Sequence, residues 1–221
     1  MLRGFFVTGT DTGVGKTVVS AALMHRCRGG APLRYWKPIQ TGTVQDDDTA
    51  EVARLGACSA SELLGSGVRL PRPASPHLAA ISAGTTIDVG SLLESVSREE
   101  RAIRWIVEGA GGVLVPLNES SLMVDLMKLL QLPVVVVTRT GLGTINHTLL
   151  TLEALRRRAL RVAGVVMVGD RDADNRAAIE KYGEVIVLGE MPCFGRLTAT
   201  ELASWAAADL DPDHRLRELL S

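Results

Sequence analysis

Near the start of the chain stands Gly9-Thr10-Asp11-Thr12-Gly13-Val14-Gly15-Lys16-Thr17. Glycines let a backbone turn so that successive N–H groups face inward, and such a nest cradles phosphate oxygens. A lysine after the last glycine reaches the β- and γ-phosphates of a nucleoside triphosphate, and the next hydroxyl binds Mg²⁺. Lys16 and Thr17 hold those positions, with Gly13, Val14, Gly15 and Val18 around them. A helix opening near Lys16 would turn its positive end to the same anion. The spacing is a variant: the usual first glycine falls at Thr10, and Gly9 stands one residue earlier.

Other segments could complete such a site. Lys37, in Trp36-Lys37-Pro38, closes a short apolar run, and Pro38 biases it to extended backbone. At a strand's C-terminal end it would add a second cation for a transferring phosphoryl group. Asp46-Asp47-Asp48 precede a helical stretch; such carboxylates can cap a helix or bind Mg²⁺. Glu108 ends the run Ile103 to Val107 and is followed by Gly109-Ala110-Gly111-Gly112, a second metal-side carboxylate beside a backbone that a ligand can approach. Gly141-Leu142-Gly143-Thr144-Ile145-Asn146 leads into another helical pattern, giving a second anion site of backbone N–H groups. His77 and His147 read as packed or capping residues.

The elements that must position these groups are legible. Phe5 to Val7, Ile103 to Val107, Val134 to Val137 and Val162 to Val168 are β-branched, nearly continuous runs, as in strands buried on both faces. Leu33 to Trp36 and Val185 to Leu188 are further strand candidates. Helices are predicted at Val18 to Arg28, Thr49 to Leu55, Ser91 to Arg101 and Thr144 to Arg158. Alternation of the two predicts an α/β fold over residues 1–221: a single domain, a mostly parallel β-sheet flanked by helices on both faces, of P-loop NTPase type. Pro71 to Pro76 reads as an ordered connector, and the tail Asp209 to Ser221 as charged and without chemistry.

Bulk properties narrow the function. The 221 residues carry a net charge of -1, which leaves no basic footprint for nucleic acid and no polybasic membrane anchor. The longest apolar runs are far short of a membrane span, and the N-terminal one is too short for a signal peptide. Three cysteines with no CxxC pair argue against a disulfide framework or a cysteine zinc site. A cytoplasmic protein is expected. Partitioning-type ATPases carry a lysine where this chain has Asp11, and a carboxylate cannot replace it beside a γ-phosphate. The chain is too short for an added glutaminase domain, and a bare nucleotide switch has no need of Lys37 with Thr41.

Taken together, Phe6 to Thr17, Lys37-Pro38 with Thr41-Gly42, Ser75-Pro76-His77, Val107 to Gly112 and Gly143 to His147 resemble the dethiobiotin synthetase family in order and spacing. The resemblance covers roughly the first three quarters of the chain. It implies an enzyme that closes a ureido ring on 7,8-diaminononanoate with CO₂ (or bicarbonate), ATP and Mg²⁺, through a carbamate and a carbamic-phosphoric anhydride. Lys37 is then catalytic with Lys16, and Thr12 and Thr41 touch the diamine or carbamate. Thr17, Asp48 and Glu108 bind Mg²⁺, with Asp47 as the alternative to Asp48. Glu108, Gly109, Ala110 and Gly111 border the nucleotide. Gly143, Thr144, Ile145 and Asn146 take the substrate carboxylate, and the site spans a homodimer interface. The family has Asn and then Asp after the Val162 to Val168 strand, the Asn amide reading adenine; this chain has Gly169-Asp170. Weak base discrimination follows, with CTP competing. Pro192, Cys193 and Phe194 fall where backbone meets the base.

Overall fold

The computed structural model describes residues 2–99 and 102–220. Seven strands form one sheet: β1 (Arg3–Gly9), β2 (Leu33–Trp36), β4 (Leu63–Leu64), β6 (Arg104–Gly112), β7 (Val134–Arg139), β8 (Val162–Val168) and β9 (Val187–Met191). Their order is β4-β2-β6-β1-β7-β8-β9, and every pairing is parallel. Strands β3 (Ile39–Thr41) and β5 (Val68–Leu70) form a small parallel pair beside it.

The continuous apolar runs are explained by two cores, one on each face. Along each strand alternate side chains go to opposite sides. Phe6, Trp36, Trp105, Val107, Val134, Val136, Val165 and Met167 enter one core. It is closed by α3 (Pro76–Ser82), α4 (Val89–Ser97), α5 (Met123–Leu130), α6 (Thr144–Arg156) and α7 (Ala173–Gly183). Phe5, Val7, Tyr35, Ile106, Val135, Val137, Val166 and Leu188 enter the other. There they meet α1 (Lys16–Cys27), α2 (Asp48–Leu55), α8 (Ala199–Ala208) and α9 (Arg215–Leu220).

The chain winds from β1 outward to β2 and β4, returns through β6 beside β1, then proceeds to β7, β8 and β9. The order therefore reverses at β1, and the crevice beyond the strand ends at such a reversal is where open α/β sheets bind ligands. The loop after β1, Lys37 after β2 and Glu108 in β6 all open there.

The six expected strands and four expected helices are present, with shifted ends. Strand β9 begins two residues later than expected, and β6 runs on through its glycines to Gly112. Helix α4 is capped by Asp88 and ends at Ser97; the expected end at Glu100 and Arg101 lies outside the described residues. Helices α3, α5, α7, α8 and α9 and the short β3, β4 and β5 were not expected. The charged tail is structural, since Leu216 and Leu220 of α9 are buried in the second core.

Candidate nucleotide and carboxylate site

Both helices expected to face anions begin on bare glycine. Gly15 caps α1 with φ 99°, and Gly143 caps α6 with φ 91°; neither helix start has a side-chain cap. Helix starts are ordinarily satisfied by Ser, Thr, Asp or Asn, which would fill the space with an oxygen of their own. Left-handed glycine instead leaves the first N–H groups and the helix's positive end open to an incoming anion. The three aspartates contrast with this. Asp47 caps α2 by accepting from Ala50 N, so it is spent on the helix. That frees Asp48, the first helical residue, to face the site.

A cavity of about 710 Å³ opens at the strand ends. Of the expected residues, it is lined by Thr12, Gly13, Gly15, Lys16, Thr17, Val18, Lys37, Thr41, Asp46, Asp48, Glu108, Ala110 and Gly111. Within it, Thr17 Oγ1 donates to Asp48 Oδ1 at 3.1 Å and lies 3.0 Å from Glu108 Oε1. Lys37 Nζ lies 2.7 Å from Asp48 Oδ2, 2.7 Å from Glu108 Oε1 and 3.1 Å from the Gly109 carbonyl. Lys16 Nζ rests on the Asp11 carbonyl at 2.9 Å.

Burial gives these charges their weight. Lys37 is 3% exposed and Glu108 wholly buried. Burial alone would strip the Lys37 proton, but Glu108 and Asp48 hold its pKa above the ordinary lysine value. Burial likewise works against the Asp48 carboxylate, yet Lys37 and the Thr17 hydroxyl keep its pKa low. Lys16 has less help: burial and the Lys37 charge bring it down to about 8.

The donor set fits Mg²⁺. A hydroxyl and two carboxylates, all hard oxygens, converge at hydrogen-bonding distance. Among the described residues no group of three or more His, Cys, Asp and Glu could form a cage by itself. That pattern suits an ion that keeps phosphate oxygens and water among its ligands.

Other expected residues do different work. Val14 is buried in the core beside α1. Gly109 serves packing, since a Cβ there would lie 2.9 Å from Phe6. Thr144 is buried; its hydroxyl pairs with Thr138 Oγ1 at 2.8 Å. Thr138 also accepts from Thr10 and Thr148, so threonines tie the phosphate loop to α6. Ile145 packs on the core and Asn146 is exposed, leaving this helix end to offer backbone rather than side chains. Gly143 to Asn146 do not line the main cavity. Gly169, Asp170, Pro192, Cys193 and Phe194 also lie outside it, where Gly169 N donates to Met191 O across the ends of β8 and β9.

Some site residues were missed. Pro73, Ala74, Ser75 and Pro76 wall the cavity. The Ser75-Pro76-His77 match was the available signal. Tyr35 is fully buried and donates to Glu108 Oε2 at 2.9 Å. Arg139 donates to the Thr12 carbonyl at 3.0 Å. Only the three-dimensional register of β2, β6 and β7 reveals these last two.

Residues 3–201 match the family model described as an AAA domain. The chain is 52% identical to the ATP-dependent dethiobiotin synthetase BioD of Paramagnetospirillum magneticum, over 91% of this chain and 94% of that protein. The chain belongs to the dethiobiotin synthetase family. It is also 46% identical to the Agrobacterium fabrum protein of the same name, over 90% of each. The biotin biosynthesis bifunctional protein BioCD of Bordetella avium matches at 46% identity, over 92% of this chain but 42% of that protein. The cell division ATPase MinD of Pyrococcus furiosus shares the fold, with a TM-score of 0.58 at 18% identity over 99% of this chain and 100% of that one. Among the described residues, no helix is long and apolar enough to cross a membrane.

Proposed function

We propose that this protein closes the ureido ring of dethiobiotin on 7,8-diaminononanoate, using CO₂ and ATP, with residues 1–221 acting as one domain in the cytoplasm. The reading is carried above all by Lys37, a second buried ammonium beside a phosphate loop, joined to Asp48 and Glu108. One amine of the substrate attacks CO₂, forming a C–N bond and losing a proton to give a carbamate. A carbamate oxygen attacks the γ-phosphorus, and the bond to ADP breaks. The second amine attacks the carbamate carbon and loses a proton, the C–O bond to phosphate breaks, phosphate leaves, and the ring closes.

The difficulty is bringing a carbamate anion to a polyphosphate. Lys16 and the bare N-terminus of α1 hold the phosphates. Lys37 screens the meeting anions and the charge on the transferring phosphoryl group. Thr17, Asp48 and Glu108 would hold Mg²⁺, which when bound neutralises phosphate charge. Thr12 and Thr41 present hydroxyls to the diamine and its carbamate. The uncapped start of α6 would take the distant carboxylate of the substrate. Because that start lies outside the main cavity, we assign it to the site of a neighbouring copy in a homodimer.

Product formation tests this. Purified protein, 7,8-diaminononanoate, bicarbonate and Mg²⁺ are incubated with ATP, CTP or GTP, and dethiobiotin is read by mass spectrometry, with Lys37→Ala as control. Dethiobiotin from the native chain and none from Lys37→Ala is the expected result. Nucleotide binding with no dethiobiotin would instead favour a nucleotide switch.

A further inference from the structure

The carboxylates that would receive a divalent cation already hold a cation of the chain's own. Lys37 Nζ sits 2.7 Å from Asp48 Oδ2 and 2.7 Å from Glu108 Oε1, and Thr17 Oγ1 meets the same two carboxylates at 3.1 and 3.0 Å. Lys16, by contrast, rests on a carbonyl. We propose that Lys37 is a built-in placeholder for the metal: it shuts the site to divalent cation alone and leaves the carboxylates only when the cation arrives with nucleotide.

Electrostatics requires some occupant. Two carboxylates facing one another, one of them wholly buried, repel strongly unless a cation lies between them. Lys37 lies between the two carboxylates and holds the pair together, with the Lys16 ammonium in the same cavity. A divalent ion and an ammonium cannot share the same oxygens without repulsion. A metal arriving alone must therefore displace Lys37 from both of its buried charged partners, leaving it the Gly109 carbonyl and the exposed polar groups of the cavity. A nucleotide changes this, since its phosphates add oxygens for the metal and an anion for Lys37. The side chain has somewhere to go, because the cavity it lines also holds Thr12 and Thr41. The same movement would carry the ammonium from its resting partners to the reacting anions. This inference rests on Thr17, Asp48 and Glu108 being the metal's oxygens.

Mn²⁺ binding to nucleotide-free protein, followed by electron paramagnetic resonance and calorimetry, tests it. The native chain should bind Mn²⁺ weakly without nucleotide and tightly with ADP. Lys37→Met, which keeps the bulk and removes the charge, should bind Mn²⁺ alone at least ~10-fold more tightly than the native chain. Mn²⁺ alone should raise its melting temperature and leave the native one unmoved. Lys37→Gln, whose amide can still donate to one carboxylate, serves if Lys37→Met does not fold. A tight stoichiometric Mn²⁺ site in the nucleotide-free native chain would overturn the proposal. So would equal Mn²⁺ affinity in the native chain and the variants. No arm uses the diamine or reads dethiobiotin, so failure of the ring-closing assay and failure of this proposal are separate results.

Discussion

Tyr35 offers a sharp perturbation, because Tyr35→Phe removes one oxygen and leaves the ring in place. Its hydroxyl donates to Glu108 Oε2 at 2.9 Å, and both residues are wholly buried. Lys37 and Thr17 meet the other oxygen, Oε1. Tyr35 thus fixes which edge of the carboxylate faces the site. Without it, Oε2 stays buried with no donor. A hydrogen bond to a charged group contributes about 1.5–3 kcal/mol. For a chain of this size each kcal/mol moves the melting temperature by about 2–4 °C, so the variant should melt roughly 3–12 °C lower. Partners that orient a metal ligand also contribute to metal affinity, so the Mg²⁺ needed for half-maximal turnover should rise about 10–100-fold. Thermal unfolding and a Mg²⁺ titration of turnover read the two effects. An unchanged melting temperature with an unchanged Mg²⁺ requirement would refute the orienting role.

Lys16, brought to about 8 by burial and Lys37 against the opposing pull of Glu108, Asp48 and Asp11, should make nucleotide binding pH-dependent. Bound phosphates favour its charged form, so above that value binding takes up a proton and weakens by up to ~10-fold per pH unit. Calorimetry at pH 7 and 9 in two buffers should show the uptake, and a pH-independent Kd with none would contradict it. Gly169 has φ +135°, and a Cβ there would lie 2.4 Å from Thr140 Oγ1. Gly169→Asn alone should therefore destabilise by about 1–3 kcal/mol in urea unfolding, with Thr140→Gly relieving part of it. Full stability of the single variant would show that the loop gives way. Arg139→Ala, which frees the Thr12 carbonyl, should weaken nucleotide binding by about 0.5–1.5 kcal/mol in calorimetry. Loss of folding instead would mean that Arg139 is structural.

The site was legible where function needs a residue type at a fixed spacing. The glycine loop, Lys37 and Glu108 stand out because each follows an apolar run, and such runs are the interior strands of a parallel sheet. Among Asp46, Asp47 and Asp48 the cap was within reach, since a helix start needs one and Asp47 supplies it. Helices α5, α7, α8 and α9 were less legible because their apolar residues merge with neighbouring runs or sit among many charges. Strand β4 is only two residues long, too short to carry a period. The partners of Tyr35 and Arg139 lie 73 and 127 residues away in sequence, set by the register of β2 on β6 and by the course of the loop after β1. Thr144 shows the reverse pattern. Its motif was plain, but its hydroxyl faces the interior and holds the loops together.

The central claim, ring closure through a phosphorylated carbamate, is tested most directly by isotope transfer. A short reaction with oxygen-18-labelled CO₂, ATP and 7,8-diaminononanoate is quenched, and the phosphate and dethiobiotin are weighed by mass spectrometry. If a carbamate oxygen attacks the γ-phosphorus, that oxygen leaves with the phosphate, and each dethiobiotin should be matched by one labelled phosphate. Dethiobiotin formed with unlabelled phosphate would exclude the anhydride, and labelled CO₂ giving no dethiobiotin at all would contradict the proposed activity itself.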